Sequence, residues 1–127
     1  MVPAHIARSP YVSLVTYRRD GTPVATAVWA AVDGDGLVVW TGAGSGKTKR
    51  LGRDPRVTVA PCDLRGRVAP GEGEVRGTGQ VVAGPADMAR VCAALDRKYG
   101  WRFRWVRRVH RWFLPRHVPH VGVLIRF

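Results

Sequence analysis

The stretch VVWTGAGSGKTKRLGRDPRV, residues 38–57, decides how this chain is read, because its centre resembles a nucleotide-binding loop. A triphosphatase loop needs a glycine, four residues and then Gly-Lys-Ser/Thr, between a strand and a helix. Val38, Val39 and Trp40 suit the strand, and Gly46, Lys47 and Thr48 complete the end of the pattern. The first glycine is missing, since Thr41 stands in its place, and the helix meets Gly52 and Pro55 after about two turns. No alternation of strands and helices follows to build the parallel sheet such a loop serves. What survives is anion binding by glycine-exposed N–H groups beside Lys47, Lys49 and Arg50, with a merely solvated basic loop as the alternative.

Working outward, the 127 residues suit one domain, 1–127, with a single modest core, and a hydrophobic share of 46% argues against disorder. No apolar run is long enough for a transmembrane helix, and MVPAHIARSPYVSLV lacks the regions of a signal peptide. Cys62 and Cys92 are too few and too far apart for a disulfide framework or a CxxC site. A cytoplasmic protein is expected. The net charge of +12 calls for an acidic partner, whether nucleic acid, anionic lipid or a small multiply charged ligand. Part of that charge fits the Arg-, Ala- and Val-rich background of a GC-rich genome.

The chain alternates β-rich runs with turn signals. Strands are expected at 11–17, 23–32, 37–41, 56–62, 74–82 and 118–127, with turns at Asp20-Gly21 and at 33–36. Helices are expected at 47–53, at 85–99, which opens on Pro85 and closes on Arg97 and Lys98, and at 101–114. Six strands in a meander with helices inserted late imply a mainly β fold, a small antiparallel barrel with helical decoration. Barrels of this size have edges and seams to cover, which favours a homodimer.

This order of elements resembles the split β-barrel flavin/deazaflavin oxidoreductases, the pyridoxamine-phosphate-oxidase-like proteins, and within them the coenzyme F-420-dependent actinobacterial branch. KTKRLGRDPRVTVAPCD, residues 47–63, carries the resemblance most specifically, and the YRRDGTPVATAVW hairpin adds to it. The resemblance implies a homodimeric, six-stranded split barrel with cofactors in grooves at the interface. It places a phosphate against Lys47, Thr48, Lys49 and Arg50, where ammonium and guanidinium groups make charge-assisted hydrogen bonds. It lays the planar ring against Thr26, Ala27, Val28 and Trp29 on one strand and Trp40, Thr41 and Gly42 on the next, with either tryptophan stacking on it. Arg65 and Arg67 are candidates for closing the partner's groove.

The deazaflavin carries a phosphodiester and a tail of glutamates, which the charge of +12 suits. FMN, with one phosphate, is the runner-up, ahead of haem or no cofactor. The implied activity is hydride transfer from the reduced cofactor to a small organic substrate, with the cofactor supplying the reactivity and no catalytic side chain nominated. A non-catalytic carrier of F-420 or FMN, and a basic nucleic-acid-binding barrel, are the rivals. Tyr17 and the histidines His5, His110, His117 and His120 are candidates for proton delivery, but no metal-ligand spacing appears, and each histidine reads better as a surface or packing residue. Cys62 reads as a small buried apolar residue.

RKYGWRFRWVRRVHRWFLPR, residues 97–116, holds eight of the 21 basic residues and no acid. At about 100° per residue Trp101, Trp105, Val109 and Trp112 share one helix face, with Arg104, Arg107, Arg108 and Arg111 beside them. Packing of the tryptophans on the barrel or on a partner subunit is the preferred reading. Arginines lining a cofactor-tail groove, a peripheral membrane contact, and single-stranded nucleic acid are the alternatives, and no nucleic-acid partner is expected.

Overall fold

Along the first strand Val12, Leu14 and Thr16, every second residue, are fully buried, and Ser13 between them is buried as well. The computed structural model describes residues 2–42, 46–63, 65–68, 73–105, 108 and 120–127. In chain order these form α1 (Ala4–Ala7), β1 (Tyr11–Tyr17), β2 (Pro23–Val28), β3 (Ala30–Asp33), β4 (Gly36–Gly42) and α2 (Gly46–Arg53). Then come β5 (Arg56–Cys62), β6 (Val75–Val82), α3 (Pro85–Tyr99) and β7 (His120–Arg126). Residues 101–105 and 108 are helical, and the remainder of the expected 101–114 helix lies outside the described residues.

The strands form one sheet in the order β2-β1-β5-β6-β7-β4-β3, antiparallel throughout. Its two edge strands, β2 and β3, are neighbours in the chain, joined at Trp29. The sheet therefore curls round and meets itself at that seam, which makes it a split barrel. The expected single strand at 23–32 is two strands, and the described residues form seven strands rather than six. Nor is the path a simple meander, because β5 pairs back onto β1 and β7 onto β4.

The break has a physical cause. Edge strands expose backbone groups that need partners. The Tyr99 hydroxyl accepts from the Ala30 N–H at 3.1 Å, and Lys98 Nζ donates to the Ala30 carbonyl at 2.6 Å and to the Ser9 carbonyl at 2.7 Å. The end of α3 thus clamps the start of β3. The β1–β2 turn forms as expected, with Gly21 at φ 86° and Arg18 N–H bonded to the Thr22 carbonyl at 3.0 Å.

Two cores result. Ile6, Val12, Leu14, Leu37, Val39, Val57, Val59, Val123 and Ile125 fill the barrel with Leu51 of α2. Ala31 and Val38 on the other face of β3 and β4 pack under Val91, Ala94, Leu95 and Phe103. A Cβ at Gly122 would stand 2.8 Å from Val91 Cγ2 and 3.2 Å from Val82 Cγ2, so only glycine lets α3 lie this close to β7. Among the described residues no helix is long and apolar enough to cross a membrane.

Candidate functional site

The break at Trp29 and the end of β4 face a cavity of about 410 Å³. Ala27, Val28 and Trp29 form one wall and Trp40, Thr41 and Gly42 the next, with Lys47 reaching in from α2. Leu95 and Phe103 close it from the helical layer, and His120 from the start of β7, where it pairs with Gly42. Sites for small molecules have volumes of about 300–1,000 Å³ and combine mainly apolar walls with a few polar groups.

Aromatic packing fixes the walls. Trp40 stacks on the His120 ring at 3.9 Å between centroids and 8° between planes, and meets Phe103 edge-on at 5.5 Å and 86°. Trp29 stacks on Tyr99 at 4.6 Å and 12°. One face of each tryptophan is thus covered by the protein's own rings, and both indoles are held as rigid walls. Tyr99 is anchored in turn by its bonds to Ala30, and burial raises its pKa to about 12.

Lys47 is the cation of the cavity. It is half-buried, and burial first and Arg50 second lower its pKa below the ordinary lysine value. No ion pair with a carboxylate is found for it among the described residues. A partly dehydrated ammonium beside a guanidinium is electrostatically suited to an anion.

The basic run is divided between two hollows. Lys49 and Arg50 line a second, more open cleft of about 480 Å³ with Arg18, Arg19, Asp20, Gly46 and Arg53. Arg50 Nε donates to Thr16 Oγ1 at 2.6 Å, which ties α2 to β1. A Cβ on Gly46 would sit 2.7 Å from Arg50 Nη1, so that glycine makes room for the guanidinium. Thr26 and Thr48 are half-buried and line neither hollow.

Arg65 and Arg67 are exposed and line neither hollow within this chain. Their backbone N–H groups both bond Asp63 Oδ1 at 2.9 Å, and a Cβ on Gly66 would lie 3.6 Å from Ala27 Cβ. The loop thus rests against a residue of the cavity wall.

Seven of the residues singled out in the sequence, Ala27, Val28, Trp29, Trp40, Thr41, Gly42 and Lys47, come together around the cavity. Leu95 and Phe103 complete it without having been anticipated, together with His120, which the sequence offered only as a proton-delivery candidate and more readily as a surface or packing residue. Val91, Ala94 and Leu95 are the buried residues of α3, and nothing local to His120 shows that β7 lies beside β4. His120 does pack, as expected, but on the cavity's own Trp40.

The other side chains considered sit elsewhere. Tyr17 bonds the Thr58 hydroxyl at 2.8 Å on the far strands, and His5 Nε2 lies 3.0 Å from the Gly73 carbonyl. Cys62 is half-buried rather than fully buried, and burial raises its thiol pKa. His110, His117, Val109, Arg111 and Trp112 lie outside the described residues. Among the described residues no three His, Cys, Asp or Glu side chains could hold a metal.

The sequence profile of the pyridoxamine 5'-phosphate oxidase family matches residues 2–123, and the chain belongs to that family. Among solved structures it is similar to Rv2991, a conserved hypothetical protein of Mycobacterium tuberculosis, at 26% identity and a TM-score of 0.70, over 98% of this chain and 79% of that one. An F-420 reductase aligns at 23% identity and a TM-score of 0.62, over 99% and 94%. HutZ, the heme storage protein of Vibrio cholerae, aligns at 12% and 0.66, over 92% and 80%. The last two likenesses concern the fold alone. No curated protein sequence matches the chain.

Proposed function

We propose that this member of the pyridoxamine 5'-phosphate oxidase family binds coenzyme F-420 and works as an oxidoreductase on a small organic substrate. The observation that carries the reading is the adjacency of an aromatic cavity, a half-buried lysine and an open basic cleft along one helix. That sequence of surfaces suits a ligand with a flat ring, then a phosphodiester, then an acidic tail. FMN has the ring and one phosphate but no acidic tail, and it would leave Arg18, Arg19, Lys49 and Arg53 of the cleft with Asp20 as the one carboxylate among the lining residues.

The residues fit the group. Trp29 and Trp40, braced by Tyr99 and His120, hold a slot for a planar ring, and the backbone of Ala27, Val28, Thr41 and Gly42 offers N–H and C=O groups at its edge. Lys47 meets a phosphate oxygen, and Lys49, Arg50 and their neighbours attract the acidic tail. When bound, the deazaflavin supplies hydride chemistry. The chain's own contribution is orientation, a water-poor slot and electrostatic attraction. A second copy of the chain covers the open cavity in this reading, and Arg65 and Arg67 stand ready on the neighbouring loop.

Titration of F-420 into the wild-type protein and Lys47→Ala tests the site. Single-turnover oxidation of the reduced cofactor by a panel of acceptors then separates an enzyme from a carrier. Saturable binding weakened by the substitution, followed by acceptor-dependent turnover, is expected. Binding without turnover on any acceptor would make the protein a carrier, and absence of binding would overturn the reading.

A further inference from the structure

The helical turn at 101–105 has two opposed sides. Phe103 faces in, 1% exposed, and forms part of the cavity wall, whereas Trp101 and Trp105 face out at 71% and 61% exposure. Indoles left this far in water are uncommon, and two together on one side of a helix mark a surface that meets something. They share a shallow groove of about 280 Å³ with Arg104 and Arg108. Arg104 Nε stands 3.9 Å from Asp96 Oδ1, too far for a hydrogen bond, so its donors remain available to another acceptor.

We propose that this tryptophan–arginine patch docks the protein on the surface of an anionic phospholipid bilayer. Side chains four apart on a helix lie on the same face, so both indoles reach a common plane. An indole has an apolar body and one N–H donor, which suits the boundary between headgroups and acyl chains. Arginines beside it meet lipid phosphates bidentately, and each basic residue near such a surface adds to the attraction. The segment 97–116, with eight basic residues and no acid, brings no counter-charge of its own.

Charge complementarity decides among occupants. A second copy of this chain meeting the patch across a two-fold axis would set the same Arg104 and Arg108 against it, and like-charge repulsion opposes that contact. Single-stranded nucleic acid needs a groove that follows its backbone past successive stacking rings. Here the groove is short, with two rings a single turn apart. A docked bilayer would lie behind Phe103, on the opposite side of the turn from the cavity.

Co-sedimentation of the full chain with vesicles of phosphatidylcholine, alone or mixed with phosphatidylglycerol, tests the proposal. Binding is expected to the mixed vesicles only, and to weaken at high salt. The double variant Trp101→Ser/Trp105→Ser should lower the partition coefficient by about tenfold or more. Equal sedimentation of variant and wild type would overturn the proposal, since net charge alone would then be responsible. So would failure to bind mixed vesicles, or variants that lose single-stranded oligonucleotide binding while still sedimenting with lipid. Should the double variant fail to fold, quenching of wild-type tryptophan fluorescence by brominated acyl chains decides. Quenching supports insertion of the indoles, and its absence overturns it.

Discussion

The two hollows on either side of the first turn of α2 are built by opposite means. The aromatic cavity draws its walls from β2, β4, β7, α3 and the turn beyond it, and is held by ring stacking and buried apolar contacts. The basic cleft is made by the β1–β2 turn and α2, with exposed Arg18, Arg19, Lys49 and Arg53 around it. One is part of the core and the other is surface charge laid on a finished fold. Lys47 stands at their boundary. Changes in the cavity should therefore cost stability, whereas changes in the cleft should cost affinity alone.

The largest effect should come from Phe103→Ala. It removes a ring that is 1% exposed and touches Trp40, and should lower stability by about 3 kcal/mol in chemical denaturation. A loss below about 1 kcal/mol would show that the wall is not part of the core.

Lys47→Ala comes next and should separate the two quantities. Cofactor affinity should fall by about 1–3 kcal/mol while stability stays level or rises, because burial of the ammonium opposes its charged form. Parallel loss of both would make Lys47 a structural residue.

The clamp that opens the cavity should respond to pH. Burial lowers the Lys98 pKa from the ordinary 10.5 to about 8, so between those values the unfolded chain binds the extra proton. Stability should rise across that window, and the rise should flatten in Lys98→Met. Tyr99 has the opposite sign, since its pKa is raised from 10.0 to about 12. Its contribution is complete below pH 10 and lost as pH climbs to about 12. Tyr99→Phe should remove that fall. Thermal melts across the alkaline range read both limbs, and a wild-type profile unchanged by either substitution would contradict the clamp.

The smallest effect should come from Arg18→Ser with Arg53→Ser. Stability should stay within about 0.5 kcal/mol, and F-420 affinity should drop by about threefold at low salt and not at high salt.

The same contrast governs what the sequence makes legible. Local signals end β1 and α2 and start α3 where the structure does, because Asp20-Gly21, Pro55 and Gly84-Pro85 act on their own neighbours. The basic cleft is a run of adjacent residues and can be read directly as an anion surface. The seam at Trp29 cannot, because the groups that hold it open come from Lys98 and Tyr99, 68 and 69 residues along the chain from Ala30. Trp29 and Trp40 are visible as ring-sized walls, but the partners that brace them, Tyr99, His120 and Phe103, arrive only through the antiparallel pairing of β7 with β4 and the docking of α3. Periodicity places Leu95 on a buried face without saying which surface it covers. Trp101 and Trp105 teach the reverse lesson. Their spacing suggests packing against the barrel or a partner subunit, and within this chain they face outward, because the inward position of that turn is taken by Phe103.

The central claim is that the cavity, Lys47 and the cleft form one ligand site for a flat ring with an anionic tail. Equilibrium binding of F-420 and FMN to the wild-type protein at moderate salt tests it most directly. The account predicts saturable binding of F-420 at an affinity well above that for FMN, because only the deazaflavin reaches from the aromatic slot into the basic cleft. Equal or tighter binding of FMN would contradict the role given to the cleft, and binding of neither would contradict the site itself.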